Sequence, residues 1–241
     1  MDPEFSRLIS EAADIAASGR WATLNVRIED LCKAPGTGNE WWVGLFACLC
    51  SQIFREYLDL KNAYESPRDG DSSHLAWRAR NLLELSIWST YCMQNQDNAR
   101  RFFEDAGRDE RDIFDAFLKW GTTTAQPADW LDPLAEAKRD LSERASRLES
   151  IDSLEGRFLD VRDAAKDCGL LAHFSLEFKM LSKFAHPTSM QILAQPDQKR
   201  EALQRDSFFS QGCLFFTGAF NALETALRDG PGPKGMPVAK S

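Results

Sequence analysis

The stretch Ser73-His74-Leu75-Ala76-Trp77-Arg78-Ala79-Arg80-Asn81-Leu82-Leu83-Glu84-Leu85-Ser86-Ile87-Trp88-Ser89-Thr90-Tyr91-Cys92-Met93 decides the fold class. It contains neither proline nor glycine, and no apolar–polar alternation lasts long enough for a strand. At about 100° per residue, Trp77, Arg80, Glu84, Trp88 and Tyr91 share one face of a helix. Leu75, Ala79, Leu82, Ser86 and Met93 share the opposite face. A helix apolar on two faces is packed on both, which belongs to a multi-helix assembly.

Working outward, the same three- and four-residue spacing recurs along nearly the whole chain. Leu8, Ile9, Ala12, Ile15 and Ala16 mark a first helix with Gly19 as its stop. Trp21, Leu24, Ile28 and Leu31 mark a second, which ends before Pro35-Gly36. Asn39 is placed to cap a third, carrying Trp42, Leu45, Phe46, Leu49, Ile53, Phe54, Tyr57 and Tyr64. Its first half is apolar nearly all round, so it is expected at the centre. Ser66 to Ser73 reads as a loop. Ser73 then caps the helix quoted above, which reaches about Asn95.

A further helix opens at Asp97, with Gly107 as an interruption and Gly121 to Pro127 as the loop after it. Leu134, Leu141 and Leu148 are spaced by seven, and predict a helical hairpin arm over about 132–170. Gly156 and Gly169 bound a shorter helix, Phe174 to His186 forms another closed by Pro187, and Asp206 to Asp229 forms the last. The expectation is one all-α domain over 6–229, a bundle of about 8–10 helices. Met1 to Phe5 reads as a cloning remnant and 230–241 as a flexible tail.

Composition sets the outer bounds. The 241 residues carry a net charge of −8, 43% hydrophobic and 11% aromatic side chains, which excludes wholesale disorder and supplies a core. The acidity argues against a broad electrostatic grip on nucleic acid or anionic lipid, while leaving room for a local basic patch. Six cysteines sit mostly within apolar helical patterns, as free thiols of a cytoplasmic protein do, without zinc-ligand spacing. The longest apolar stretch, Trp41 to Cys50, is about half a membrane span, so no membrane association is expected. Metal and cofactor are likewise not expected. The sequence has no Glu-x-x-His, no His-Glu-x-x-His, no phosphate-binding Gly-x4-Gly-Lys-Ser/Thr and no Gly-x-Gly-x-x-Gly after a strand.

Two places carry polar residues that packing alone does not require. Arg80 and Glu84, four apart among aromatics, can pair with each other or with a neighbouring helix. They read either as an ion pair fixing helix register or as a polar pocket in which the Arg binds an anion and the Glu acts as a base or orienting group. Asn81, Tyr91 and Arg101 are candidate binding residues around it. Further along, Ser175, Lys179, Ser182 and His186 form a polar stripe in which Ser182 and His186, at i and i+4, can meet. A histidine in a last turn also answers the helix dipole, so His186 has a structural reading too.

Arg80-Asn81-Leu82-Leu83-Glu84, followed by Leu181-Ser182-Lys183-Phe184-Ala185-His186-Pro187, resembles a group of uncharacterised bacterial helical proteins. That group combines an Arg-x3-Glu helix with a Ser-x3-His-Pro helix end. The architecture is also similar to HEPN domains, helical bundles of toxin–antitoxin, RNA-processing and phage-defence systems. The resemblance implies RNA binding or metal-independent RNA cleavage. The HEPN pattern is an Arg, four to six intervening residues, and then a His. Here Leu85, Ser86 and Ile87 stand at those positions, and Lys179-x6-His186 has Lys where Arg belongs. A catalytic site would then be a composite of Arg80, Glu84 and His186, with Lys179 and Ser182 as binding residues. Two other functions fit the same sequence: a protein-interaction or homodimerisation module using the Leu134/Leu141/Leu148 arm, and a small-molecule binder lined by Trp42, Trp77 and Trp88.

Overall fold

The computed structural model describes residues 3–33, 40–66, 72–147, 159–186, 188–193 and 197–229. Among these residues it is all-α, with no strand. The helices are α1 (Pro3–Ala17), α2 (Gly19–Lys33), α3 (Glu40–Glu65), α4 (Ser72–Gln94), α5 (Gln96–Thr123), α6 (Ala128–Arg147), α7 (Val161–Asp167), α8 (Leu171–Ala185), α9 (Ser189–Ile192) and α10 (Gln198–Asp229). None of them is long and apolar enough to cross a membrane. The chain divides into two compact units, one of residues 1–98 with 161–241, the other of residues 99–160.

In the first unit the central helix is α4, not α3 as the apolar run Trp41–Cys50 suggests. Helix α4 packs against α10, α8, α3 and α7. The reason is its lack of a polar face: Leu75, Ala76, Ala79, Leu82, Leu83, Ile87, Tyr91 and Cys92 are buried at angles around most of the wheel. Helices α3 and α10 run antiparallel. Tyr57 stacks on Phe216 at 4.1 Å between ring centroids and Tyr64 on Phe209 at 4.0 Å, so rising numbers on one helix meet falling numbers on the other. Gly212 permits this approach, since a Cβ there would collide with the Leu60 side chain.

The boundaries differ from expectation where tertiary partners act. Gly19 begins α2 instead of ending α1, with Ser18 as the bend between them. Helix α4 starts at Ser72, and its cap comes from another helix. The Ser72 backbone N–H and hydroxyl both donate to the Glu201 carboxylate of α10, at 2.8 and 3.0 Å. An anion beside the orphan N–H groups of a helix start does the work expected of Ser73. Helix α10 begins eight residues before Asp206 so that Glu201 can reach. Gly169, at φ +72°, ends α7 in the left-handed conformation, with Leu170 N–H donating to the Ala165 carbonyl at 2.8 Å.

In the second unit α5 runs through Gly107 without interruption and continues past Gly121 to Thr123. Gly121 is packed under Trp130 and Leu131 of α6, where a Cβ would collide. Trp120 meets Trp130 edge-on at 5.5 Å, and Lys138 pairs with Asp115, so α5 and α6 form an antiparallel helical hairpin. Arg108 is buried and pairs with Asp105 at 2.5 Å and Glu104 at 3.8 Å, while Asp105 also accepts the Leu159 N–H at 3.0 Å. The Leu141 side chain and Leu148 lie outside the described residues, so the heptad is described only at Leu134.

Of the cysteines, Cys48, Cys50, Cys92, Cys168 and Cys213 are free. Burial pushes the thiols of Cys50 and Cys92 well up, that of Cys168 to about 11 and that of Cys213 to about 12.

Candidate functional site

Helices α4 and α8 pack side by side in the first unit, with Leu82 of α4 and Phe174 and Leu181 of α8 buried. Arg80 stands at the edge of this contact. Its side chain is 22% exposed, so the guanidinium is neither sealed in the core nor loose in solvent.

Three groups hold it. Glu84, one turn along α4, pairs with Nη2 at 3.1 Å. The Phe178 ring of α8 lies 4.5 Å from the guanidinium carbon, a cation–π contact. Nη1 lies 3.0 Å from His186 Nε2. Nε is buried and among the described residues finds no hydrogen-bond acceptor. The side chain is thus fixed by stacking and charge, with donor capacity to spare.

The protonation state of His186 follows from its partner. A guanidinium has only donors, so Nε2 must present its lone pair and the imidazole proton resides on Nδ1. His186 is the C-cap of α8, with extended φ −115° and ψ 149°. A residue preceding proline is disfavoured in the helical region, and Pro187 follows. The histidine therefore leaves the helix, instead of sitting in its last turn, and swings towards α4. This also breaks the i, i+4 register with Ser182, whose hydroxyl is buried and without a hydrogen-bond partner among the described residues.

The other candidates lie elsewhere. Asn81 faces α3 and donates to Glu56 at 3.4 Å. Tyr91 is fully buried about three turns from Arg80, edge-on to Trp88 at 6.2 Å, and belongs to the core. Lys179 is exposed on α8, and Arg101 belongs to the second unit. The ring that contacts Arg80 is Phe178, which sequence spacing assigns only to an apolar stripe.

A second charged network, unmarked by any motif, lies on the α3 side of α4. Arg78 pairs with Glu56 at 3.0 Å and Asp59 at 3.1 Å. Glu56 also accepts from Gln52 at 3.4 Å. The Glu56-x-x-Asp59 spacing on α3 was the available signal. On α8, burial raises the Glu177 carboxyl above its usual range, opposed by the nearby His173. Among the described residues no group of three or more His, Cys, Asp or Glu side chains could hold a metal ion.

A family model matches residues 40–199, from α3 to the start of α10, and spans all of Arg80, Glu84 and His186. It describes a family of unknown function, DUF5677. This chain belongs to that family. No curated protein and no solved structure matches the chain. The matched part of a DUF5677 protein thus contains both helices of the Arg80–His186 pair, while α1, α2 and nearly all of α10 lie outside it.

Proposed function

We propose that Arg80, Glu84 and His186 form an RNA-binding site with metal-independent cleavage activity, HEPN-like in chemistry and consistent with a role in toxin–antitoxin or phage-defence systems. The supporting observation is the 3.0 Å contact between Arg80 Nη1 and His186 Nε2. A guanidinium fork, of the kind that binds phosphate, there meets the Nε2 lone pair of an exposed histidine.

In the resting state Arg80 occupies the lone pair. An incoming phosphodiester offers Arg80 a charged acceptor in place of a neutral one, and charge-assisted bonds are roughly twice as strong. As Nη1 turns to the phosphoryl oxygen, Nε2 is released. It then accepts the proton of the ribose 2′-hydroxyl. The 2′-oxygen bonds to phosphorus, the bond from phosphorus to the 5′-oxygen breaks, and that oxygen leaves with a proton from water, whose hydroxide takes the proton back from His186. The products are a 2′,3′-cyclic phosphate and a 5′-hydroxyl. Glu84 holds the guanidinium in plane throughout. Deoxyribose lacks the nucleophile, so DNA would bind without being cut.

The test is incubation of labelled single-stranded RNA with the purified chain, with and without a chelator. Cleavage to cyclic-phosphate ends, insensitive to chelator and lost in both Arg80→Ala and His186→Ala while each variant stays folded, is the expected result. Unchanged RNA at high enzyme concentration, or cleavage that survives His186→Ala, removes the reading.

A second reading, homodimerisation through the hairpin, has one observation of its own. Ile113, Phe117 and Trp120 of α5, spaced by four and three, each expose about half of their surface. A dimer in solution that dissociates in Ile113→Ser/Phe117→Ser supports it; a monomer at high concentration ends it.

A further inference from the structure

The same face of α4 that carries Arg80 carries Trp77 one turn earlier. Its indole is 38% exposed, the most exposed tryptophan in the first unit. A large apolar ring left in solvent is ordinary in isolation. This one is held in place. The Arg78 guanidinium carbon lies 4.6 Å from the ring centroid, and Arg78 is itself fixed by Glu56 and Asp59 at 3.0 and 3.1 Å. His74 flanks the ring at 5.9 Å, tilted by 47°. Two carboxylates thus hold an arginine, and the arginine holds the indole. Arg78 is committed inward to α3, so it is a positioning residue, not a second anion site.

From this arrangement we infer that Trp77 is a nucleobase platform, stacking an unpaired base of the RNA whose phosphate sits on Arg80. The inference rests on the reading of Arg80 as a phosphate site. Side chains three apart on a helix are neighbours, with Cβ atoms about 5–6 Å apart, which suits the step from a backbone phosphate to an adjacent base. A clamped ring forfeits little rotamer freedom when a base lands on it, so more of the stacking energy appears as affinity. Stacking uses the face every base possesses and is closed to a base inside a duplex. The site therefore selects single-stranded RNA with little sequence preference.

The experiment measures binding of a short fluorescent 2′-O-methyl oligouridylate, which cannot be cleaved, and of the same strand with one abasic position. Wild-type protein is expected to bind the intact strand on the order of tenfold or more tighter than the abasic one, the usual scale for one stacked base. Trp77→Ala should weaken the intact strand by the same factor and the abasic strand hardly at all, whereas Trp77→Phe retains most of the affinity. Equal wild-type affinity for the two strands overturns the platform, and needs no variant to fold. So does a Trp77→Ala loss that is the same on both strands. Arg80→Ala separates the two layers. If it weakens both strands alike while Trp77→Ala changes neither, the phosphate site stands and the platform falls. If wild-type protein binds neither strand, both fall together.

Discussion

Arg78 and Arg80 are two residues apart on one helix, about 200° apart around it, and their surroundings are opposite in kind. Arg78 faces two carboxylates of α3, Glu56 and Asp59, and Glu56 is only 6% exposed. Both of its ion-pair partners are carboxylates, and the Trp77 ring lies against the same guanidinium. Arg80 faces one partly exposed carboxylate, an aromatic ring and a neutral imidazole. The first arginine is neutralised by two carboxylates, while the second has a neutral and exchangeable partner. The contrast teaches that burial of a charge says less about its role than what an incoming ligand would have to displace. Removing a carboxylate from Arg78 strands a charge; displacing an imidazole from Arg80 releases a base.

The contrast is sharpest in turnover. His186→Ala is expected to lower RNA cleavage by about 10²–10⁴-fold, the span of a general base, with the thermal midpoint unchanged, checked by cleavage rates alongside calorimetry. A fall in melting temperature of many degrees would make His186 a structural residue and erase the distinction. On the Arg78 side the expected loss is in stability. Glu56→Ala should cost about 3 kcal/mol in denaturant unfolding, because it leaves Arg78 poorly compensated near the core. A cost well under 1 kcal/mol would mean that the two arginines do not differ as described. Smaller is Phe178→Leu, which removes the ring beneath Arg80. It should reduce stability by about 0.5–1 kcal/mol and raise the RNA concentration needed for half-maximal cleavage, read from a titration of rate against substrate. Smallest is Glu84→Gln, whose partly exposed pair is worth about 0.5 kcal/mol in stability; urea midpoints of the two proteins should nearly coincide.

The all-α class was legible because helical periodicity is a local property, repeated in every long described segment. Boundaries were less so, for reasons visible in particular residues. Gly107 has no effect inside a helix held by its neighbours, and Ser72 is capped by Glu201 from far along the chain. Within the candidate site, the Arg80–Glu84 pair follows from i, i+4 spacing alone. The approach of His186 does not, since 106 residues separate it from Arg80. Only the packing of α8 on α4, together with the extended backbone imposed before Pro187, brings it there. Phe178 was hidden for the opposite reason, since an apolar stripe gives no sign of which ring ends beneath a cation. Arg78 was passed over because its partners lie on a different helix.

The cap that Glu201 supplies to Ser72 also bears on how the molecule is made. The two residues are 129 positions apart, and Tyr64–Asp206 and Arg20–Glu224 span still longer separations. The central helix thus waits on the last one. During synthesis α3 and α4 emerge well before α10, with their apolar faces uncovered, and the intervening 99–160 unit is local enough in sequence to fold in that interval. Closure of the bundle is then a late, chain-length-limited event, and a truncation that removes α10 would leave the Arg80 face without the scaffold that fixes it.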